Sequence, residues 1–261
     1  FHMKALKTRK ILIIFLFASC FLSGCQKKEM AAIPSSPQEA IELTMGSLKN
    51  LDITAFNQYT DNYVETHYNV LGGVEVEYRT FNELLQYQSR RGKRYQSAYQ
   101  LSQKITQNLT WEIEDVRENH DTAEIDMHIT NADIGKALGR YEVKIMEDVL
   151  EGSGFGLAQL MTDMSELFSS KETLISIIDG LDDEDIVSFD VTVLAYQENG
   201  QWKIHLSPEF INAFSGNMYD DDYSDEIEQR MTELEKQYEN KLDDWAENFE
   251  EKFENGMNLD K

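Results

Sequence analysis

Apolar and polar positions change period several times along this chain, and each change marks an element. Ala40, Ile41, Leu43, Met45 and Leu48 form an apolar stripe. Ser36 stands before it as a cap, Pro37 fits the first helical position, and Glu39 complements the positive helix start, so the pattern predicts a helix from Pro37 to about Asn50. Asp52 then caps a second helix, with Phe56, Tyr59 and Tyr63 at steps of three and four. Between Thr66 and Tyr78, Gly72-Gly73 separates two short apolar segments. A loop between helices is the preferred reading, a small hairpin the alternative. Phe81, Leu84, Leu85, Tyr95, Tyr99 and Ile105 indicate helix up to about Gln107, interrupted near Gly92.

The period then falls to two. Leu109, Trp111 and Ile113 alternate with Thr110, Glu112 and Glu114, and after a turn at Glu118–Asp121 the positions Ala123, Ile125, Met127 and Ile129 alternate with Glu124, Asp126, His128 and Thr130. This is the signature of a half-buried antiparallel hairpin. Helical spacing returns from Asp133 to about Met146. After the Gly152-Ser-Gly-Phe-Gly156 break it continues through Leu157, Leu160, Met161, Met164, Leu167 and Phe168, with Thr173 to Ile178 as a continuation. Val187, Phe189, Val191, Val193 and Ala195 alternate again, Glu198-Asn-Gly200 turns the chain, and Trp202, Ile204 and Leu206 complete a second hairpin. No strand-helix-strand repeat demands parallel pairing. The order predicts an α+β fold, one curved antiparallel sheet with helices on one face.

Beyond Asn217 the character changes once more. Ile227, Met231, Leu234, Tyr238, Leu242, Trp245, Phe249 and Phe253 step by three or four and set one continuous stripe on a long helix. The spacing averages close to that of a straight α-helix, so a left-handed heptad coiled coil is not favoured. Between Asp220 and Glu254 there are 15 acidic and 4 basic side chains, which leaves the other face strongly negative. Such a helix needs its stripe covered. The stripe packs back on the domain, pairs with another copy, or docks in a basic groove of a partner, and in the last case these eight residues are the candidate partner-binding positions. An acidic polar face argues against insertion at a membrane interface.

The N-terminal segment carries the information on location. From Met3, Lys4, Lys7, Arg9 and Lys10 form a positive region, and Ile11 to Leu22 form an apolar run too short for the ~20 residues of a spanning helix. Leu22-Ser-Gly-Cys25 follows. The run reads as a cleaved export signal over residues 1–25, with 26–37 as a proline- and serine-containing tether, 38–219 as the α+β domain and 220–261 as the acidic helical extension. Cys20 lies within the apolar run, so the exported body keeps at most Cys25 and has no pair of thiols for an internal disulfide. The first 25 residues hold four of the 24 basic side chains and none of the 48 acidic ones, so the remainder carries a formal net charge of −28. That field repels nucleic acid and favours cations and basic partners.

Two resemblances follow from these residues. Leu22-Ser23-Gly24-Cys25 resembles the lipobox of bacterial lipoproteins, which implies cleavage between Gly24 and Cys25 and a diacylglycerol on the Cys25 thiol. With two or three acyl chains at about 0.8 kcal/mol per buried CH₂, anchoring to the membrane would be stable. The run Asn199-Gly-Gln-Trp-Lys-Ile204 with Ser207-Pro-Glu-Phe-Ile-Asn-Ala-Phe-Ser-Gly-Asn217 resembles the last strand and closing turn of small lipoproteins of unknown function from Gram-positive bacteria. These are similar to the nuclear-transport-factor-like, or cystatin-like, cone. Ile129-Thr-Asn-Ala-Asp-Ile-Gly-Lys-Ala-Leu138 resembles their strand-to-helix junction, and Ala40 to Tyr63 their opening helix pair. The resemblance covers about residues 38–219 and implies a fold more than an activity.

Candidate chemistry is sparse. The carboxylates Asp220–Asp222 and Asp179–Asp185 invite calcium, but neither run has the spaced Asp-x-Asp-x-Asp-Gly loop with its distal Glu. His67, His120, His128 and His205 lack zinc-site spacing. His128 and His205 fall on polar strand parity and share a sheet face with Asp126 if the strands align, which supplies acid-base ingredients where a pocket exists. No nucleophile elbow, Walker loop or dinucleotide fingerprint occurs, and no cofactor is implied. Arg90-Arg-Gly-Lys-Arg94 is a basic cluster that pairs with acidic surface of its own chain or contacts an anionic polymer. The expectation is a membrane-anchored extracytoplasmic lipoprotein that binds a basic protein, a peptide or an envelope component without catalysis. The rival is a small-ligand carrier or enzyme using the cone's pocket, and a filled or an open concavity separates the two.

Overall fold

Ser36 sits in extended backbone and its hydroxyl accepts the Glu39 N–H at 3.1 Å, which starts α1 (Pro37–Lys49). Ala40, Ile41, Met45 and Leu48 form its fully buried face. Asp52 accepts the Ala55 N–H at 3.0 Å and starts α2 (Ile53–Tyr59). This helix ends one turn before Tyr63, contrary to the spacing. Thr60 adopts extended backbone, donates its hydroxyl to the Phe56 carbonyl and bridges to Ile204, and the Asp61 N–H donates to the Ile204 carbonyl. The chain is caught by a sheet edge there and cannot go on winding. Tyr63 instead opens β1 (Tyr63–Thr66), which pairs antiparallel with β2 (Val76–Arg79). The preferred loop between helices is thereby corrected: Tyr63–Thr66 and Val76–Arg79 are paired strands, while residues 67–75 between them lie outside the described residues. The computed structural model describes residues 32–66, 76–79, 81, 93–151, 171–219 and 223–257. Gly72-Gly73, Leu84, Leu85 and Gly92 lie outside the described residues, as does the helix expected over Leu157 to Phe168.

The helix α3 (Lys93–Thr106) leads into the sheet, whose strands β3 (Thr110–Asn119), β4 (Thr122–Ala132), β5 (Ile186–Glu198) and β6 (Gln201–Ile204) lie in that order, each antiparallel to its neighbour. The fold is α+β. The first turn is tighter than the sequence suggests, only His120-Asp121, with His120 at φ 57°. At the second, Asn199 and Gly200 take φ 53° and 78°, the mirror-image geometry that matches the twist of a two-residue hairpin. Ala123, Ile125, Met127, Ile129, Val193, Ala195, Trp202 and Ile204 point inward, against α1, α2 and α6 (Pro208–Phe214). Phe56, Phe81, Phe210 and Phe214 close this core with edge-to-face contacts at centroid distances of 5.1 to 6.3 Å.

A second core lies among helices. Asp133 accepts the Lys136 N–H at 2.8 Å at the start of α4 (Ile134–Glu151), which runs past Met146, and α5 (Glu172–Asp179) returns beside it. Leu101, Ile105, Leu138, Tyr141, Ile145, Leu174 and Ile178 are buried between α3, α4 and α5. The C-terminal helix α7 (Asp225–Met257) starts on this same layer. Gly139 makes room for it: a Cβ there would stand 3.0 Å from both Ile227 and Tyr223. Among the described residues no helix is long and apolar enough to cross a membrane.

Candidate interaction surfaces

The concavity between the sheet and α1, α2 and α6 is occupied by side chains. Ile41, Met45, Phe56, Ile125, Met127, Ile129 and Phe210 are all fully buried there, and among the described residues no buried side-chain polar atom lacks a partner. A ligand pocket needs apolar walls with a few converging polar groups, whereas these apolar side chains pack against one another. A shallow cavity of about 580 Å³ does lie outside it, between α4 and α5, lined by Arg140, Val143, Lys144, Glu147, Glu172 and Ile177. Three of its charged residues have partners: Arg140 with Asp185, Lys144 with Asp148, and Glu147 with Arg230.

The outer sheet face carries the polar positions of the strands. Cross-strand register lines up Glu112, His128 and Asp190 in one row and Asp115, Asp126 and Thr192 in the next. A bulge between Ile113 and Asp115 shifts β3 so that the Arg117 guanidinium reaches Asp115, Glu124 and Asp126 together. Asp126 also accepts the Thr192 hydroxyl at 2.8 Å. The Arg117 hydrogen bond, seconded by Thr192, holds the Asp126 carboxyl down to about 2. His128 Nδ1 lies 2.6 Å from Asp190, and that hydrogen bond raises its imidazole pKa, with Glu112 and Glu114 adding to the field.

His128 and Asp126 thus share a face, but His205 does not join them. It lies just past β6, where its Nδ1 pairs with Asp61 at 2.6 Å while the same carboxylate accepts the Leu206 N–H at 2.9 Å. Asp61 therefore ties the end of the sheet to the α2–β1 junction. The His128–Asp190 pair is open to water, with Asp190 79% exposed, so it lacks the enclosure that acid-base catalysis uses. A depressed carboxylate contributes stability above its ordinary range and loses it as pH falls toward its folded value. NMR titration is therefore expected to find Asp126 still ionised at about pH 3, and Arg117→Met to return its midpoint to about 4.

In the acidic run Asp179–Asp185, Asp179, Asp182, Asp183 and Glu184 are exposed, and only Asp185 is buried. Asp185 is only 5% exposed and pairs with Lys136 and Arg140, and Asp179 pairs with Lys104. Among the described residues no group of three or more His, Cys, Asp or Glu side chains is placed to hold a metal ion. Asp220–Asp222, His67, Arg90, Arg91, Gly24 and Cys25 lie outside the described residues.

The α7 stripe is divided. Ile227, Met231 and Leu234 are buried, and Tyr238 packs on the second core. Arg230 donates to Glu147 at 2.7 Å and the Lys241 ammonium donates to the Leu150 carbonyl, so α7 runs alongside α4 in the same direction. Leu242 is half-buried and Trp245 is 37% exposed, while the Phe249 and Phe253 side chains lie outside what is described. The register network around Arg117 and the Asp61 tie were missed from sequence, because both join residues far apart in the chain. No protein-family model, curated protein or solved structure matches the chain.

Proposed function

We propose that this chain is a lipid-anchored lipoprotein of the extracytoplasmic membrane face, acting as a non-enzymatic interaction module. Its body is read as a cystatin-like cone over residues 38–219, similar to that of Gram-positive lipoproteins, with residues 220–261 as an acidic helical extension. The observation that supports an interaction module is the apolar side chains packed between the sheet and α1, α2 and α6. Anchoring rests on the positive region, the short apolar run and Leu22-Ser-Gly-Cys25. The partner is a basic protein or peptide, or an envelope component, since a net charge of −28 outside the signal repels nucleic acid.

Radiolabelled palmitate tests the anchor. Cells producing the full chain should show label in the membrane fraction at the mass of a cleaved protein, and Cys25→Ser should abolish it and leave an uncleaved or unanchored chain. Label that persists in Cys25→Ser would rule out this thiol as the acceptor.

A further inference from the structure

The strand β5 outlasts its neighbour β6, and the difference leaves an edge. β6 pairs only with residues 195–198. After it the chain is drawn off the sheet: the His205 N–H makes one last bond to the Leu194 carbonyl, the Leu206 N–H donates to Asp61, and Ser207 with Pro208 starts α6. From Val193 back to Ile186, about 24 Å of strand, β5 has β4 on one side and, among the described residues, no strand on the other.

Alternation decides which groups this exposes. Glu198 and Gln201 close a two-residue turn and exchange hydrogen bonds, so Glu198, Tyr196 and Leu194 face β6, and at the same parity Thr192, Asp190 and Ser188 aim their backbone N–H and C=O at the open edge. Among the described residues no backbone group bonds to them there. Val187, Phe189 and Val191 face inward and are only partly buried, whereas Met127 and Ile129, opposite Val191 and Phe189 on β4, are fully buried. The inner layer is thus incompletely covered along this edge. The other edge strand, β3, carries a bulge and the charges Glu112, Glu114, Arg117 and Glu118, devices that discourage strand pairing. Over 186–193 β5 keeps regular register, holds Asp190 as its single charge, and is rich in β-branched and aromatic residues.

We propose that residues 186–193 accept an extended segment of a partner protein as an added strand, its apolar side chains over Val187, Phe189 and Val191 and its Lys or Arg beside Asp190. This rests on the interaction-module reading and names its partner class. Backbone hydrogen bonds supply the affinity and alternate side chains the specificity, as in other strand additions. Charge chooses among the occupants. Asp190 is open to water on the outer sheet face, with Glu112 in its own row and Asp126 in the next. A second copy paired edge to edge would set two such acidic faces side by side, whereas a basic strand meets this one with the opposite sign.

The test uses the full chain and a probe, a soluble peptide of alternating valine and lysine. Hydrogen exchange resolved to single amides should be fast at Ser188, Asp190 and Thr192 and slow at Phe189 and Val191 in dilute protein, and the probe should slow the first three. Probe affinity, read by anisotropy, should weaken with salt and fall about tenfold or more in Ser188→Pro, which removes an outward N–H and sets its ring against the incoming strand. Asp190→Lys should weaken the lysine peptide and admit a valine–glutamate peptide that wild type refuses, a gain that a misfolded edge would not give. The proposal is overturned by slow exchange of the three amides in the free monomer, by protection that rises with protein concentration alone, by absence of probe binding, or by binding indifferent to either variant. None of these outcomes bears on palmitate labelling, so the anchor and the strand-addition edge fail separately.

Discussion

Gly216→Ala is expected to destabilise the protein by about 2–5 kcal/mol, the sum of a left-handed backbone penalty and an overpacking penalty. Gly216 has φ 69°, and a Cβ there would stand 2.2 Å from the Ala132 carbonyl oxygen and 2.9 Å from Ile134 Cγ1. Relief cannot come from moving the loop outward, because the Gly216 carbonyl accepts the Ile134 and Gly135 N–H groups at 2.8 and 3.1 Å. Those are first-turn donors of α4, which otherwise have no partner inside the helix. The loop after α6 thus caps the helix on which the second core and α7 are built, and Met218, buried two residues on, would move with it. Gly46→Ala is the internal control. It lies inside α1 with nothing within 4 Å of the added methyl, and should gain about 0.5–1 kcal/mol. Urea denaturation of the two variants should move the midpoint in opposite directions. Equal midpoints for Gly216→Ala and wild type would mean that the loop relaxes freely and the cap is dispensable.

What could be read in advance divides along a physical line. The four sheet strands are legible because one face is buried and the side-chain period is two, and Asn199-Gly200 marks its turn because both residues tolerate positive φ. The start of α1 is legible because Ser36, Pro37 and Glu39 act locally. Tyr63 misleads for the complementary reason: its spacing from Tyr59 continues a helix, whereas the event that stops α2 is Thr60 meeting Ile204, 144 positions away. Asp61 with His205, and Arg117 with Asp126 across a bulge, are likewise consequences of register, which pattern alone does not supply. The candidate surface on α7 behaves the same way. Its stripe is continuous in sequence from Ile227 to Phe253, but which part becomes core depends on contact with α4, a different element, beside which Ile227, Met231 and Leu234 are buried.

Asn131 should be as sensitive as Gly216, for a polar reason. It is 1% exposed on β4; its amide donates to the Ile105 and Phe214 carbonyls, both at 2.9 Å, and its own oxygen accepts the Ala132 N–H. One side chain therefore joins the end of α3, the end of α6 and the last strand residue before α4, linking the two cores. Asn131→Ala leaves three backbone groups without this partner, and at about 1–3 kcal/mol for each group left unsatisfied the expected loss is about 3–5 kcal/mol, discounted for any water that enters. Asn131→Asp keeps the shape but turns a carboxyl oxygen toward two carbonyls in a buried site, which favours the protonated acid and lifts its pKa above the ordinary aspartate range. The sign follows: the folded state holds its proton longer than the unfolded state, so the variant is most stable at low pH and loses stability as pH rises through the folded value. Urea midpoints measured across the acid-to-neutral range should therefore converge with wild type toward acid and diverge toward neutral. An Asp variant as stable as wild type at neutral pH would show that Asn131 is not the tie between the two cores.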